Sequence, residues 1–308
     1  MAEPQPFMGL VTFGRRPHTR DVTGADVAVV GVPFDGGTSH RSGTRFGPRK
    51  IREMSLLLWG YNNPLGVAPF DALNVIDYGD VESVPVNIER TFANVEREVS
   101  AILDAGVTVL ALGGDHSITL PLLRAHARRF GALAIVHFDS HPDTWDSEYS
   151  GQPYSHGTPF RRAIEEGLVD TGAYVQVGIR GPTSGLDDLE EARHLGARVI
   201  TIDEAMAGGL PAVLHEIHAR AAGKKVYVSL DIDAVDPAFA PGTGTPEVGG
   251  FTSYDMLQLV RGLRGLDLVG FDIVEVSPPY DHGDITAILA SNLAFEFLSL
   301  RALKKGER

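Results

Sequence analysis

The 308-residue chain contains no cysteine. That excludes a disulfide framework, a cysteine-built zinc site and a thiol nucleophile, and it fits a reducing compartment. Basic side chains are the second shortage: 27 Lys and Arg stand against 40 Asp and Glu, a formal charge of −13. This argues against nucleic acid as the main partner, because phosphate binding wants a basic face. No apolar run approaches the roughly 18–20 residues that cross a bilayer. Met1–Pro6 lacks the basic-then-apolar order of a signal peptide. The expectation is an acidic cytoplasmic protein with no membrane and no nucleic-acid partner. Turns are plentiful, with 35 Gly and 19 Pro, which suits sites built on loops.

Short β-branched runs recur, each followed by a longer amphipathic stretch. Val27–Val30, Asn74–Ile76, Val107–Leu110, Leu133–Val136, Tyr174–Val177, Arg198–Ile200, Val226–Leu230 and Leu268–Phe271 mostly lack polar alternation. That pattern marks strands buried on both faces of a parallel sheet. Ile88, Phe92, Val95, Val99 and Ile102 form one apolar helical stripe. Residues 120–129, 160–168, 186–195, 213–221, 253–263 and 284–300 read the same way. The expected fold class is α/β, a three-layer α/β/α sandwich around a mostly parallel sheet of about eight strands. Residues 1–22 are read as a loosely held N-terminal arm, 23–308 as a single domain, and Lys304–Arg308 as a solvated tail.

In such sheets ligands collect beyond the carboxyl ends of the strands. The residues there are acids and imidazoles: Asp115-His116 after the third run, Asp139-Ser140-His141-Pro142-Asp143 after the fourth, Asp231-Ile232-Asp233 after the seventh, and Asp272 and Glu275 at the eighth. Alternate residues of an extended chain share one side, so Asp139, His141 and Asp143 can converge, as can Asp231 and Asp233. Bare carboxylates so gathered would repel one another. Two divalent ions balance four Asp, and with two neutral His they make a donor set for Mn²⁺, Ni²⁺, Fe²⁺ or Zn²⁺. A lone Asp-x-Asp is more often a cap. Such motifs at successive strand ends of one sheet point to metal.

Gly113-Gly114-Asp115-His116-Ser117, Asp139-Ser140-His141-Pro142-Asp143, Ser229-Leu230-Asp231-Ile232-Asp233-Ala234-Val235-Asp236-Pro237 and Gly242-Thr243-Gly244-Thr245-Pro246 resemble the signature blocks of the ureohydrolases. That family includes arginase, agmatinase, guanidinobutyrase and proclavaminate amidinohydrolase. The resemblance runs from Gly31 to His282 and lies nearest the agmatinase and guanidinobutyrase-like branch. It implies an arginase-like fold, hydrolysis of a guanidino compound to urea and an amine, and two divalent ions per subunit, Mn first and Ni second. It implies that His116, Asp139, Asp143 and Asp231 hold one ion, and that His141, Asp139, Asp231 and Asp233 hold the other. A bridging hydroxide would be the nucleophile. The resemblance also gives Glu275 the guanidinium, His156 a proton transfer, Asp143 a place in the catalytic set and Asp236 a supporting role. It implies a homo-oligomer, trimer or hexamer.

One departure bears on substrate. Arginases carry an Asn that grips the substrate α-carboxylate where this chain has Trp145, an apolar wall. The expected substrate is therefore a guanidino compound without the amino-acid head: agmatine, guanidinobutyrate, guanidine, or a substituted guanidine or biguanide. Glu148 and Asp146 are candidates to meet an ammonium, or are solvated loop acids. Arg180 is a candidate partner for a carboxylate, or a structural ion pair. His215-Glu216-Ile217-His218 misses zinc-helix spacing by one residue and reads as an exposed helix face. His126 and His137 show no partner pattern. Two rival readings are a mononuclear zinc, deacetylase-like hydrolase and a non-catalytic partner subunit. One tightly bound zinc per chain marks the first, and failure to release urea from a guanidine panel marks the second.

Overall fold

A computed structural model describes residues 5–183, 185 and 187–306. Its strands are β1 (Val27–Gly31), β2 (Val75–Asp80), β3 (Thr108–Leu112), β4 (Leu133–Phe138), β5 (Val169–Ile179), β6 (Arg198–Thr201), β7 (Lys225–Asp231) and β8 (Asp267–Val274). They form one sheet in the order β2-β1-β3-β8-β7-β4-β5-β6, and every neighbouring pair is parallel. Each expected run falls on one strand, with Asn74 and Val107 one residue ahead of theirs. β1, β3 and β4 are buried at every residue, as their lack of polar alternation requires.

The helices among the described residues are α1 (Gly47–Ser55), α2 (Pro69–Ala72), α3 (Ile88–Asp104), α4 (Thr119–Phe130), α5 (Pro159–Glu165), α6 (Asp188–His194), α7 (Ile202–Gly208), α8 (Leu210–Ala221), α9 (Ser253–Gly262) and α10 (Ile285–Gly306). Side chains from α3, α4, α5 and α6 pack on one face of the sheet. Side chains from α1, α7, α8, α9 and α10 pack on the other. In α3 the Asn87 side chain caps the Arg90 N–H at 2.8 Å, and Phe92, Val95, Val99 and Ile102 are buried as the stripe requires. Each such side chain contributes about 1.5–3 kcal/mol by leaving water.

The differences from expectation have physical causes. α1, α2 and α7 carry too few apolar residues to show a stripe. In α1 the buried face includes Arg52, which pairs with Asp77 at 2.8 Å and Asp80 at 2.6 Å. α5 stops at Glu165 because Gly167, at φ +70°, turns the chain into β5. The arm is held: Phe13 is fully buried, its N–H donates to Asp77 Oδ2 at 2.7 Å, and Gly14 N–H donates to Ser55 Oγ at 2.8 Å. Lys304 and Lys305 are not a loose tail. They end α10 and pair with Asp267 and Asp26. α10 is long and apolar enough to span a bilayer by length and composition, but 78% of that stretch is buried inside the protein. Residues 1–4 of the arm, Leu186 and the last two residues of the tail lie outside the described residues.

The strand order places the chemistry. β3, β8, β7 and β4 are adjacent at the centre of the sheet, and their carboxyl ends deliver Asp115-His116, Glu275, Asp231–Asp233 and Asp139–Asp143 to one crevice.

Candidate metal centre and cleft

β3 leads through Gly113-Gly114 to Asp115, whose carboxylate accepts the Ser117 N–H at 3.0 Å and the Gly37 N–H at 2.7 Å. Gly114 is required there, since an added Cβ would lie 1.7 Å from the Phe34 carbonyl oxygen. His116 follows, fully buried. Its Nε2 lies 2.9 Å from Ser229 Oγ, which itself donates to Asp272 Oδ1 at 2.7 Å. The serine oxygen therefore accepts the Nε2 proton, and the Nδ1 lone pair is left facing the crevice. Nδ1 lies 2.8 Å from Asp143 Oδ2, 3.1 Å from Asp139 Oδ2 and 3.2 Å from Asp231 Oδ2. It has no partner in hydrogen-bond geometry among the described residues. A lone pair facing three carboxylate oxygens is repulsive unless a cation or a proton intervenes, and imidazole with carboxylate suits a divalent transition ion.

A second corner forms beside the first. His141 Nδ1 lies 3.1 Å from Asp233 Oδ2 and 3.6 Å from Asp139 Oδ1. Ser140 aims Asp233 by donating to its Oδ1 from the backbone at 3.1 Å and from the hydroxyl at 2.7 Å. Asp233 Oδ2 is buried and unpartnered among the described residues. Asp231 Oδ1 accepts the Asp233 N–H at 2.9 Å. Possible ligand atoms of His116, His137, Asp139 and Asp143 lie within 4.8 Å of one another, as do those of Asp139, His141 and Asp233. Asp139 belongs to both groups.

Without cations these groups resist their ordinary charge states. Burial, then the Asp139 charge, raises the Asp143 pKa to about 7 despite the neighbouring His116 and His141. Burial, then Asp233 and Asp139, pushes Asp231 well above the usual carboxylate range. Burial disfavours charge on His116, but Asp139, Asp143 and Asp231 outweigh it and raise its pKa. The cluster thus takes up protons where cations would relieve it.

Glu275, at the end of β8, faces the same crevice. Its Oε1 accepts the His116 N–H and the His156 Nδ1 proton, each at 2.9 Å, while Oε2 is buried and unpartnered among the described residues. Asp143 and Glu275 have φ of +49° and +62°, a left-handed backbone uncommon outside glycine and characteristic of residues whose side chains must be aimed. In the neutral ring the Ser39 N–H donates to His156 Nε2 at 3.0 Å, which keeps a proton on Nδ1 towards Glu275; in the charged ring Nε2 donates to Ser39 Oγ, 2.7 Å away. Burial lowers the His156 pKa, but Glu275, Glu148 and Asp143 outweigh it and raise it to about 10.

Trp145 and Glu148 form the outer wall. The Gly157 N–H donates to Glu148 Oε2 at 2.9 Å. A Cβ on Gly157 would lie 2.5 Å from Trp145 Cε3 and 2.7 Å from Glu148 Cδ, so a glycine is needed for the wall to close. Ser39, His141, Asp143, Asp231, His156 and Thr245 complete a cleft of about 80 Å³.

Other expected residues do not reach it. The Arg180 guanidinium is occupied by the backbone carbonyls of Gly178, Asp233, Ala234, Glu247 and Val248, at 2.7–3.2 Å, so it ties a loop to the strand ends. Asp146 pairs with Arg162 at 2.7 Å. Asp236 caps a turn through the N–H groups of Ala238, Gly249 and Gly250. His218 Nε2 contacts the Gly262 carbonyl at 2.8 Å. Residues given no role from the sequence also reach the site: His137, Ser39 and the Ser229–Asp272 pair. His137 had one usable signal, its position two residues before Asp139 on one strand face.

A profile described as the arginase family matches residues 25–299, and the chain belongs to that family. It is 47% identical over 301 residues to a guanidinopropionase of Pseudomonas aeruginosa, covering 98% of this chain and 94% of that one. The solved proclavaminate amidinohydrolase of Streptomyces clavuligerus matches with a TM-score of 0.93 and 45% identity, over 97% of this chain and 99% of that one. A structure described as a hypothetical agmatinase of Burkholderia thailandensis matches with a TM-score of 0.91 and 42% identity, over 98% and 93% of the two chains.

Proposed function

We propose that this protein hydrolyses a guanidino compound to urea and an amine at a dinuclear metal centre, with agmatine or a guanidinobutyrate-like compound as substrate. One observation carries the reading: the His116 Nδ1 lone pair is ringed by oxygens of Asp139, Asp143 and Asp231 at 2.8–3.2 Å, without a hydrogen-bond partner among the described residues. His116, Asp139, Asp143 and Asp231 would hold one ion; His141, Asp139, Asp231 and Asp233 would hold the other. Mn²⁺ is the proposed metal and Ni²⁺ the second choice, both suited to carboxylate and imidazole donors. Bound there, the ions would supply water activated for attack near neutral pH.

The chain's own residues would do the rest. Glu275 has one oxygen engaged and Oε2 open, so it can receive a guanidinium N–H and hold the planar group against the crevice. His156 carries a proton on Nδ1 beside that carboxylate and is placed to pass a proton to the departing amine. Trp145 narrows the cleft and leaves the α-amino acid head of arginine without a polar partner. Glu148 puts a carboxylate at the outer wall, and Arg180 is engaged elsewhere, which favours a cationic tail such as that of agmatine. A guanidino acid is the rival, supported by the relative named guanidinopropionase. The reading also makes the protein a cytoplasmic homo-oligomer, a trimer or hexamer; exposed Phe7, Leu10 and Trp59 support a partner surface.

Urea release across agmatine, guanidinobutyrate, guanidinopropionate, arginine and guanidine, with Mn²⁺ and Ni²⁺ loaded separately, tests the reading. Agmatine is expected to lead and arginine to fail. No urea from any of these compounds, with both ions bound, would overturn it.

A further inference from the structure

His137 lies on β4, wholly buried, two residues before Asp139. Its Nε2 is 2.7 Å from Asp139 Oδ2. That oxygen belongs to a carboxylate, which only accepts, so Nε2 carries the proton. On the other side of the ring, Nδ1 lies 3.2 Å from Tyr174 OH. The next link fixes the direction of that contact. Gln176 faces the Pro142 carbonyl oxygen at 2.6 Å, and a carbonyl accepts only, so the group facing it is the amide NH₂. The same nitrogen lies 2.8 Å from Tyr174 OH and donates its second proton there. The tyrosine hydroxyl then has its own proton free for His137 Nδ1. Phe160 closes the ring in, with centroids 4.0 Å apart. One chain of donors therefore runs from Gln176 through Tyr174 and His137 to Asp139, while Gln176 also ties down the loop at Pro142, inside the Asp139–Asp143 motif.

We infer that His137 is a positioning residue for the metal centre: Gln176 and Tyr174 set its tautomer, and its Nε2–H holds the Asp139 carboxylate in the orientation that serves both corners. The inference rests on the proposal that Asp139 is a metal ligand. Asp139 falls in both groups of possible ligand atoms and, with Asp231, is one of two residues proposed to serve both ions, so a rotation of its carboxylate disturbs both corners at once. Its other oxygen, Oδ1, is fixed by the His141 N–H at 2.6 Å, so His137 supplies the second of two constraints. A donor behind a ligand is a recurrent way of tuning metal affinity, and losing one typically costs about 10–100-fold. With Tyr174 replaced by Phe, Nδ1 loses its nearer donor and keeps only the Gln176 amide, 3.5 Å away. The imidazole can then place its proton on Nδ1 and turn a lone pair toward Asp139.

The test is Mn²⁺ titration of the metal-stripped chain by calorimetry, with electron paramagnetic resonance reporting coupling between two bound ions. His137→Phe is expected to weaken binding about 10–100-fold and reduce the coupled signal. Tyr174→Phe should move both in the same direction by less. His137→Gln, whose amide N–H can replace Nε2–H, should recover part of the loss. If His137→Phe does not fold, the shape-conserving Tyr174→Phe decides the question. Wild-type affinity and coupling in folded His137→Phe, or in Tyr174→Phe when it must decide, would overturn the inference alone. A wild-type chain that takes up no Mn²⁺ would instead overturn the proposed metal centre.

Discussion

His156 Nδ1 and Glu275 Oε1 are 2.9 Å apart, and the same oxygen accepts the backbone N–H of His116. The proposed proton donor, the proposed guanidinium partner and a proposed metal ligand are thus fixed to one atom. His156→Ala is expected to lower kcat about 10²–10⁴-fold, the usual range for a lost proton-transfer group, while metal content stays unchanged. Turnover and bound metal measured on the same preparation check this, and loss of metal in parallel with activity would make His156 structural.

The two acids at the centre should behave differently from His156. Asp139→Asn or Asp231→Asn replaces a carboxylate oxygen by an amide at atoms about 3 Å from His116 Nδ1. Each variant should lose metal and urea release together, by at least about 100-fold. Full urea release from the Asp139 variant would show the ligand assignment to be wrong.

Gly157→Ala tests the wall. The added methyl would press on Trp145 Cε3 and Glu148 Cδ, so the outer cleft must shift while the metal corners stay in place. The expected result is a fall in kcat/KM of about 10–100-fold with metal content unchanged. A variant with unaltered kinetics would remove Trp145 and Glu148 from the account of substrate choice.

Arg180→Met should destabilise the fold by about 2–4 kcal/mol, because backbone carbonyls lose a charged donor. It should leave the ratio of agmatine to guanidinobutyrate turnover unchanged. Denaturant unfolding and the two rates check both parts, and a changed ratio would return Arg180 to the substrate.

Above pH 6.5 the metal-free chain should lose stability. Asp143 is raised to about 7 and His156 to about 10, and His116 and His141 are also raised, so the folded state binds more protons than the unfolded one. Stability then falls as pH rises through these values. His126, which burial lowers to about 4, acts with the opposite sign, but only below its ordinary pKa. The melting temperature of stripped protein should drop between pH 6.5 and 9, and Mn²⁺ should restore more of it at the higher pH. A stripped protein whose melting temperature rises over that interval would contradict this electrostatic picture.

The sheet was legible because its strands are buried on both faces and read as unbroken apolar runs. The acids were legible because strand ends in an open α/β sheet are where ligands gather. α1 was not, because its buried face is carried by Ile51, Arg52 and Ser55, and a buried arginine looks polar until Asp77 and Asp80 are seen beside it. The backbone ties of Arg180 were hidden for the matching reason. Its partners are backbone carbonyls, which leave no trace in side-chain spacing. His137 went unread because Tyr174 and Gln176 reach it from the next strand, and pairing between β4 and β5 appears only after folding.

The most direct measurement is elemental analysis of the folded chain after saturation with Mn²⁺ and removal of free ion. Six side chains from the carboxyl ends of β3, β4 and β7 should retain two ions per chain, and that preparation should release urea. A folded, saturated chain holding one ion or none would contradict the dinuclear account.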